Sequence, residues 1–182
     1  MFLGFNISEK GVEIDDERIE TIKNYPKPKT CKQVQRFLGL ASYYRQFIEK
    51  FSEMASSLTQ LTKKKAKFEW NEECEKSFRK LIEKLTSPPV LAYADFDREF
   101  ILTTDASDTG LGAVLSQKDN DGKDRVIYYA SRALNKAERN YSTIEKELLA
   151  IIFGVEKFRY YLYGTIFTIV TDHNPLTYLN NI

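Results

Sequence analysis

The sequence predicts an α/β (α+β) fold in two parts: a small helical N-terminal module, then a mixed sheet of three antiparallel strands, a long helix and a parallel fourth strand. Three observations carry this. Apolar residues recur at helical spacing through the first half of the chain, whereas after Ser87-Pro88-Pro89 they alternate in short runs, the pattern of half-buried strands. The charge changes with the period. Residues 1–90 carry 17 Lys+Arg against 13 Asp+Glu, and residues 91–182 carry 10 against 13.

The elements follow in order. FLGFNI is an apolar run ended by Ser-Glu-Lys-Gly, so it reads as a strand and a turn. VEIDDERIETIKNY enters helical spacing after Asp15 or Asp16, either of which suits an N-cap, and Pro26 and Pro28 stop that helix. Thr30 caps CKQVQRFLGLASYYRQFI, where Val34, Phe37, Leu38, Ala41, Tyr44 and Ile48 form one apolar stripe. MASSLTQLT reads as a further helix, followed by the charge run KKKAK. Asn71 then caps EECEKSFRKLIEKLTS, whose acids come first and bases later, as the helix dipole favours. The compositional break at KKKAK places a domain boundary between 1–66 and 67–182.

Beyond the prolines, FILTTDAS, GLGAVLSQ and RVIYYASRAL are strand-like runs joined by Asp-Thr-Gly and Lys-Asp-Asn-Asp-Gly-Lys turns, which make an antiparallel meander. One long helix is expected from about Glu138 to Tyr163, stopped by Gly164, with IFTIVTDH as the fourth strand and PLTYLNN as the start of another helix.

Composition narrows the class. A chain of 182 residues with 42% hydrophobic side chains can bury a real core. Cys31 and Cys74 stand far apart in unrelated contexts, so neither a disulfide framework nor a zinc set is suggested, and a reducing, intracellular compartment fits. No run approaches the roughly 20 apolar residues of a membrane span, and MFLGFNISEKG lacks the build of a secretory signal. Between Lys23 and Lys67, eleven basic side chains meet only Glu49 and Glu53 as acids. That segment suits a polyanion. Lys32, Arg36, Tyr43, Arg45, Lys63, Lys64 and Lys65 are its candidate nucleic-acid contacts, although Tyr44 lies on the apolar stripe and reads as core.

Three carboxylates are the candidate site. Asp105 ends the run FILTTDAS, Asp172 ends IFTIVTDH, and Glu147 lies inside the long helical pattern. At about 100° per residue, Thr143, Ile144, Ala150, Ile151, Gly154 and Phe158 fall within roughly 60° of Glu147, while Glu138, Glu145 and Glu156 fall opposite. Glu147 therefore sits on the stripe expected to face the sheet, where a carboxylate calls for a cation. Gly154 on that face allows close approach. If the first and fourth strands are parallel neighbours, as a long helical crossover permits, Asp105 and Asp172 share one carboxyl edge of the sheet. Either aspartate alone is as readily a turn former. Together with Glu147 they make an oxygen-only site for hard divalent cations: two Mg2+, with Mn2+ as a substitute, activating water for in-line attack on phosphorus. His173 is the candidate proton shuttle, though a histidine there is more often plain surface.

The phrases FLGFNIS, RFLGLASYYRQFI, KFEWNEECEKSF, TSPPVLAYADF, TTDASDTGLGAVLSQ, YASRALNKAERNYSTIEKELLAI and FTIVTDHNPL, in this order, resemble the reverse transcriptase and RNase H segment of gypsy-type LTR retrotransposon Pol polyproteins. The resemblance runs through essentially the whole chain. It implies that residues 1 to about 5 end the polymerase palm, that 12–65 form a thumb gripping template-primer duplex, and that 68–182 form an RNase H fold. It implies that Asp105, Glu147 and Asp172 are catalytic and metal-binding and that the substrate is an RNA:DNA hybrid. The implied partners are the rest of the Pol polyprotein, with palm and fingers upstream and integrase downstream, in a cytoplasmic particle or the nucleus.

Two departures qualify what is implied. The polymerase's own aspartates are not in this sequence, where Asp15-Asp16 is the only Asp-Asp pair, so polymerisation by this chain alone is not expected. The family's last strand, and a later helix with a fourth carboxylate, are expected beyond Ile182, a C-terminally truncated RNase H-like fold. Against the nuclease stands a second reading, a catalytically incomplete or domesticated nucleic-acid-binding remnant, which steep salt dependence of hybrid binding without cleavage would favour.

Overall fold

The computed structural model describes residues 3–64 and 66–172. Lys65, His173 and the expected helix PLTYLNN lie outside the described residues.

The chain opens on a hairpin, β1 (Phe5–Ser8) with β2 (Gly11–Ile14), paired antiparallel from Phe5↔Ile14 to Ser8↔Gly11. The second strand was not expected from the sequence, where VEI has no element of its own before the helix that starts after Asp15. Its cause is local: Gly11 takes φ +136°, and Val12 bridges antiparallel to Leu91, which a Cβ at Gly11 would foul 2.1 Å from the Leu91 carbonyl oxygen.

Helix α1 (Asp16–Lys23) follows Asp15 in extended conformation. Helix α2 (Cys31–Tyr43) starts where Thr30 accepts the Gln33 amide at 3.3 Å, as the capping pattern predicts. It ends earlier than its apolar stripe suggests. The backbone leaves helical geometry at Tyr44 and closes a 3-10 turn over Arg45–Phe47, which brings Phe47 and Ile48 into the core alongside Val34, Phe37 and Ala41. The next expected helix, over MASSLTQLT, is α4 (Ser56–Leu61), and a short α3 (Phe51–Met54) that was not expected precedes it, the two meeting at Ala55. Helix α5 (Glu72–Thr86) begins at Asn71, whose side chain accepts the Cys74 amide at 3.0 Å.

Helix α5 buries Cys74, Phe78, Leu81 and Leu85 in one cluster with Ile22, Phe37, Tyr44, Phe51 and Leu58. The packing thus groups α5 with the N-terminal helices.

The sheet has strand order β5-β4-β3-β6. Strands β3 (Phe100–Ala106), β4 (Gly110–Lys118) and β5 (Asp124–Ala133) form the predicted antiparallel meander, and β6 (Phe167–Thr171) pairs parallel to β3 from Phe100↔Phe167 to Thr104↔Thr171. This mixed α/β arrangement is the one the sequence predicts. The crossover helix α6 (Thr143–Lys157) starts later than Glu138, because Ser142 and Glu145 form a capping box; Glu138–Asn140 is a separate 3-10 turn. A short α7 (Arg159–Leu162) follows Phe158, and Gly164 at φ +78° turns the chain into β6. No helix among the described residues is long and apolar enough to cross a membrane.

Helix α6 packs across β3 and β4, over Phe100, Leu102, Ala113 and Leu115. Gly154 makes that approach possible, since a Cβ there would lie 3.0 Å from Leu102 Cδ1 and 3.3 Å from Ala113 Cβ. The buried arc of α6 holds Lys146, Glu147, Ala150 and Gly154. It is rotated toward Lys146, which reaches Asp108, and away from Ile144, expected inward but 48% exposed.

Candidate metal centre

Parallel pairing of β3 with β6 puts Asp105, the residue after Thr104, beside Asp172, the residue after Thr171, at one edge of the sheet. Helix α6 crosses above this edge with its first turns, and Glu147 is directed into it, only 4% exposed. Each of the three offers one carboxylate oxygen, and these oxygens lie within 4.8 Å of one another. Asp105 is half-buried and Asp172 exposed, so the cluster opens to solvent on one side. A buried carboxylate beside two others is unfavourable without positive charge. An all-oxygen donor set with an open side fits a hard divalent cation that keeps several of its waters.

Among the described residues a side chain stands in for such a cation. The Lys50 ammonium, from the loop before α3, pairs with Asp105 Oδ2. That hydrogen bond raises the Lys50 pKa above its ordinary value against the opposing effect of burial. The backbone beneath is held at several points: the Ser52 amide donates to Ser131 Oγ at 2.9 Å, the Arg45 guanidinium donates to the Ser131 carbonyl, and Ser107 Oγ donates to Glu53. Gly110 allows this close approach, since a Cβ there would meet Glu53 Cγ and Ser52 Oγ, each at 3.3 Å. On the other flank Lys146, next to Glu147, is drawn to Asp108 at 2.9 Å and lowers the Asp108 pKa by that hydrogen bond.

The candidate nucleic-acid contacts come from several elements. Lys32 and Arg36 are exposed on α2, and Lys63 and Lys64 are exposed after α4. Lys65 is outside the described residues. Tyr43 donates to the Leu3 carbonyl at 2.9 Å and stacks on Phe5 at 5.5 Å, and Arg45 is committed to Ser131 and lies over the Phe51 ring. Both thus make contacts within the fold. Tyr44 is core, as its place on the stripe predicts.

Two features were missed in the sequence. Lys50 reads there as one more base in a basic segment, and only the fold brings it to Asp105. Lys76, Lys80 and Lys84 line a groove of about 850 Å3 with Glu49, Lys50 and Glu53. Their i, i+4, i+8 spacing on α5 was a legible signal of a basic face.

The description "RNase H-like domain found in reverse transcriptase" matches residues 70–169. The Pol polyprotein of transposon 412 from Drosophila melanogaster is 46% identical over 98% of this chain and 14% of its own length, and the Tf2-3 polyprotein of Schizosaccharomyces pombe is 41% identical over 96% and 13%. This chain thus spans about one seventh of such relatives. Among solved structures, a foamy viral protease-reverse transcriptase in complex with dsDNA superposes with a TM-score of 0.83 at 23% identity, covering 100% of this chain and 38% of that one. The foamy viral protein in complex with RNA/DNA hybrid gives 0.80 at 23% identity, over 99% and 24%. These likenesses speak to the fold. Fold, family match and relatives agree that the chain belongs to the RNase H-like domain family of reverse transcriptases, as an RT/RNase H segment of a retrotransposon Pol polyprotein.

Proposed function

We propose that the chain is the module of a retrotransposon polyprotein that hydrolyses the RNA strand of RNA:DNA hybrids with divalent metal, Mg2+ or in its place Mn2+. The single observation that carries the reading is the convergence of Asp105, Glu147 and Asp172 from two parallel strand ends and one helix into a cluster of carboxylate oxygens.

Asp105, Glu147 and Asp172 would hold the metal, which would supply Lewis acidity to activate water and to offset charge on the departing oxygen. The chain's own residues hold the site. Asp105 and Asp172 are fixed in relative position by the β3–β6 register, and Glu147 by the docking of α6 at Gly154. Burial of Glu147 keeps one wall of the site out of water, where a carboxylate attracts a cation more strongly than on the open surface. Asp172, on the open side, faces arriving substrate. Exposed Lys32 and Arg36 of α2 and the lysines of the α5 groove supply positive charge for phosphates, the sequence-independent part of duplex binding.

The test is Mn2+ binding, followed by cleavage of a hybrid labelled on its RNA strand, with the chain alone and joined to its flanking polyprotein. Asp105→Asn and Glu147→Gln should each weaken Mn2+ binding and remove cleavage. Cleavage that survives Glu147→Gln refutes the assignment.

A further inference from the structure

The contact between Lys50 and Asp105 crosses from the helical N-terminal core to the candidate metal centre, and its surroundings set it apart from an ordinary surface ion pair. Among described residues other than glycine, only Leu3 and Lys50 adopt positive φ, Lys50 at +52°. L side chains rarely take that conformation, and it persists only where neighbours impose it. Here they do. Ser52 and Arg45 anchor the segment on Ser131, and Glu53 anchors it on Ser107, the second residue after Asp105. The lysine stem lies over Gly112, register partner of Asp105, where a Cβ would sit in ordinary contact at 4.0 Å from Lys50 Cγ.

We propose that Lys50 is a resident substitute for the metal ion: its ammonium occupies the cation side of Asp105, so that divalent metal enters the triad only by displacing it. The inference rests on the reading of the triad as a metal site. It assigns the helical N-terminal core a regulatory task, because the latch is held by contacts of α3 and the turn before it with β5 and the β3–β4 turn. Glu49 and Glu53 line the same groove as Lys50 and can receive its ammonium once Asp105 binds metal. Metal loading and the position of this segment are therefore coupled: what loosens α3 from Ser131 and Ser107 favours metal, and metal favours release of the lysine.

The experiment titrates the full chain with Mn2+ alone, in the absence of nucleic acid, and reads the free ion by electron paramagnetic resonance. Lys50→Gly removes the ammonium and suits the left-handed backbone; Lys50→Met removes the charge and keeps the stem. Loss of one positive charge beside a divalent ion should tighten Mn2+ about three- to thirtyfold, the lower end applying because the pair is partly exposed. Lys50→Arg, which keeps the charge, should stay near wild type. Lys123→Met, with the same change of net charge in the turn at the opposite end of the sheet, should change nothing. Lys50→Gly and Lys50→Met both within twofold of wild type overturn the latch while leaving the triad intact, provided Asp105→Asn still weakens binding. If Asp105→Asn and Glu147→Gln bind Mn2+ like wild type, the triad reading itself fails.

Discussion

The docking of α6 on the sheet at Gly154 can be weighed by a double-mutant cycle with Leu102, the residue it approaches. A methyl group at position 154 would lie 3.0 Å from Leu102 Cδ1, 3.3 Å from Leu102 Cδ2 and 3.3 Å from Ala113 Cβ. Crowding a packed core in this way costs about 1–3 kcal/mol, whereas replacing glycine by alanine inside a helix returns about 1 kcal/mol. Gly154→Ala alone should therefore be neutral to destabilising, by about 0–2 kcal/mol. Leu102 is fully buried, so Leu102→Ala should cost about 2–5 kcal/mol. In the double variant the new methyl enters space the leucine vacated, and Gly154→Ala becomes stabilising by about 1 kcal/mol. The cycle should then show a favourable coupling of about 1–3 kcal/mol, read from urea unfolding midpoints at unchanged slope. Additive effects would refute close approach at this point, and with it the explanation of how Glu147 is carried to the sheet edge.

Other outcomes follow from the caps and charges. Ser142→Ala removes the side-chain acceptor of the α6 capping box and should cost about 1 kcal/mol in urea unfolding, with Ser142→Asp retaining most of the stability. Glu75 has its pKa lowered to about 2, first by a hydrogen bond from Lys27, then by Trp70 and Arg79. Because the folded value lies below the unfolded one, its stabilising effect is complete above about pH 4.5 and fades as pH falls toward 2. Acid titration of Glu75→Gln against wild type should show a stability gap constant from neutral pH to about 4.5 that closes in stronger acid; a gap that widens on acidification would contradict this.

Much of this architecture was legible because its signals are local. Thr30 and Asn71 cap the helices they precede in the sequence, and alternation along FILTTDA and GLGAVLSQ marks strands whose register the turns then set. Helical spacing also put Glu147 on the inward face, which the fold keeps. What escaped depends on distant partners. The stripe of α2 runs on through Ile48, and only the packing of Phe47 and Ile48 explains why the helix stops at Tyr43. Ile144 looked inward, but α6 buries Lys146, whose ammonium pairs with Asp108, and leaves Ile144 48% exposed. Lys50 reaches Asp105 across 55 positions of chain, a separation no window of sequence can span. The capping box at Ser142 and Glu145 was present in the letters, and attention to it places the start of α6 correctly.

The burial of α5 among the N-terminal helices has a consequence for how such elements exchange parts. A recombination joint at the lysine run, where composition changes most, would set Cys74, Phe78, Leu81 and Leu85 of one parent against Phe37 and Leu58 of the other, so that each daughter protein packs a mismatched core. A joint beyond Leu91 keeps the buried residues of that cluster together. Viable chimaeras between related elements should therefore inherit α5 from the parent that supplies α1 to α4, even though the recognisable RNase H-like sequence begins at residue 70, before that helix starts.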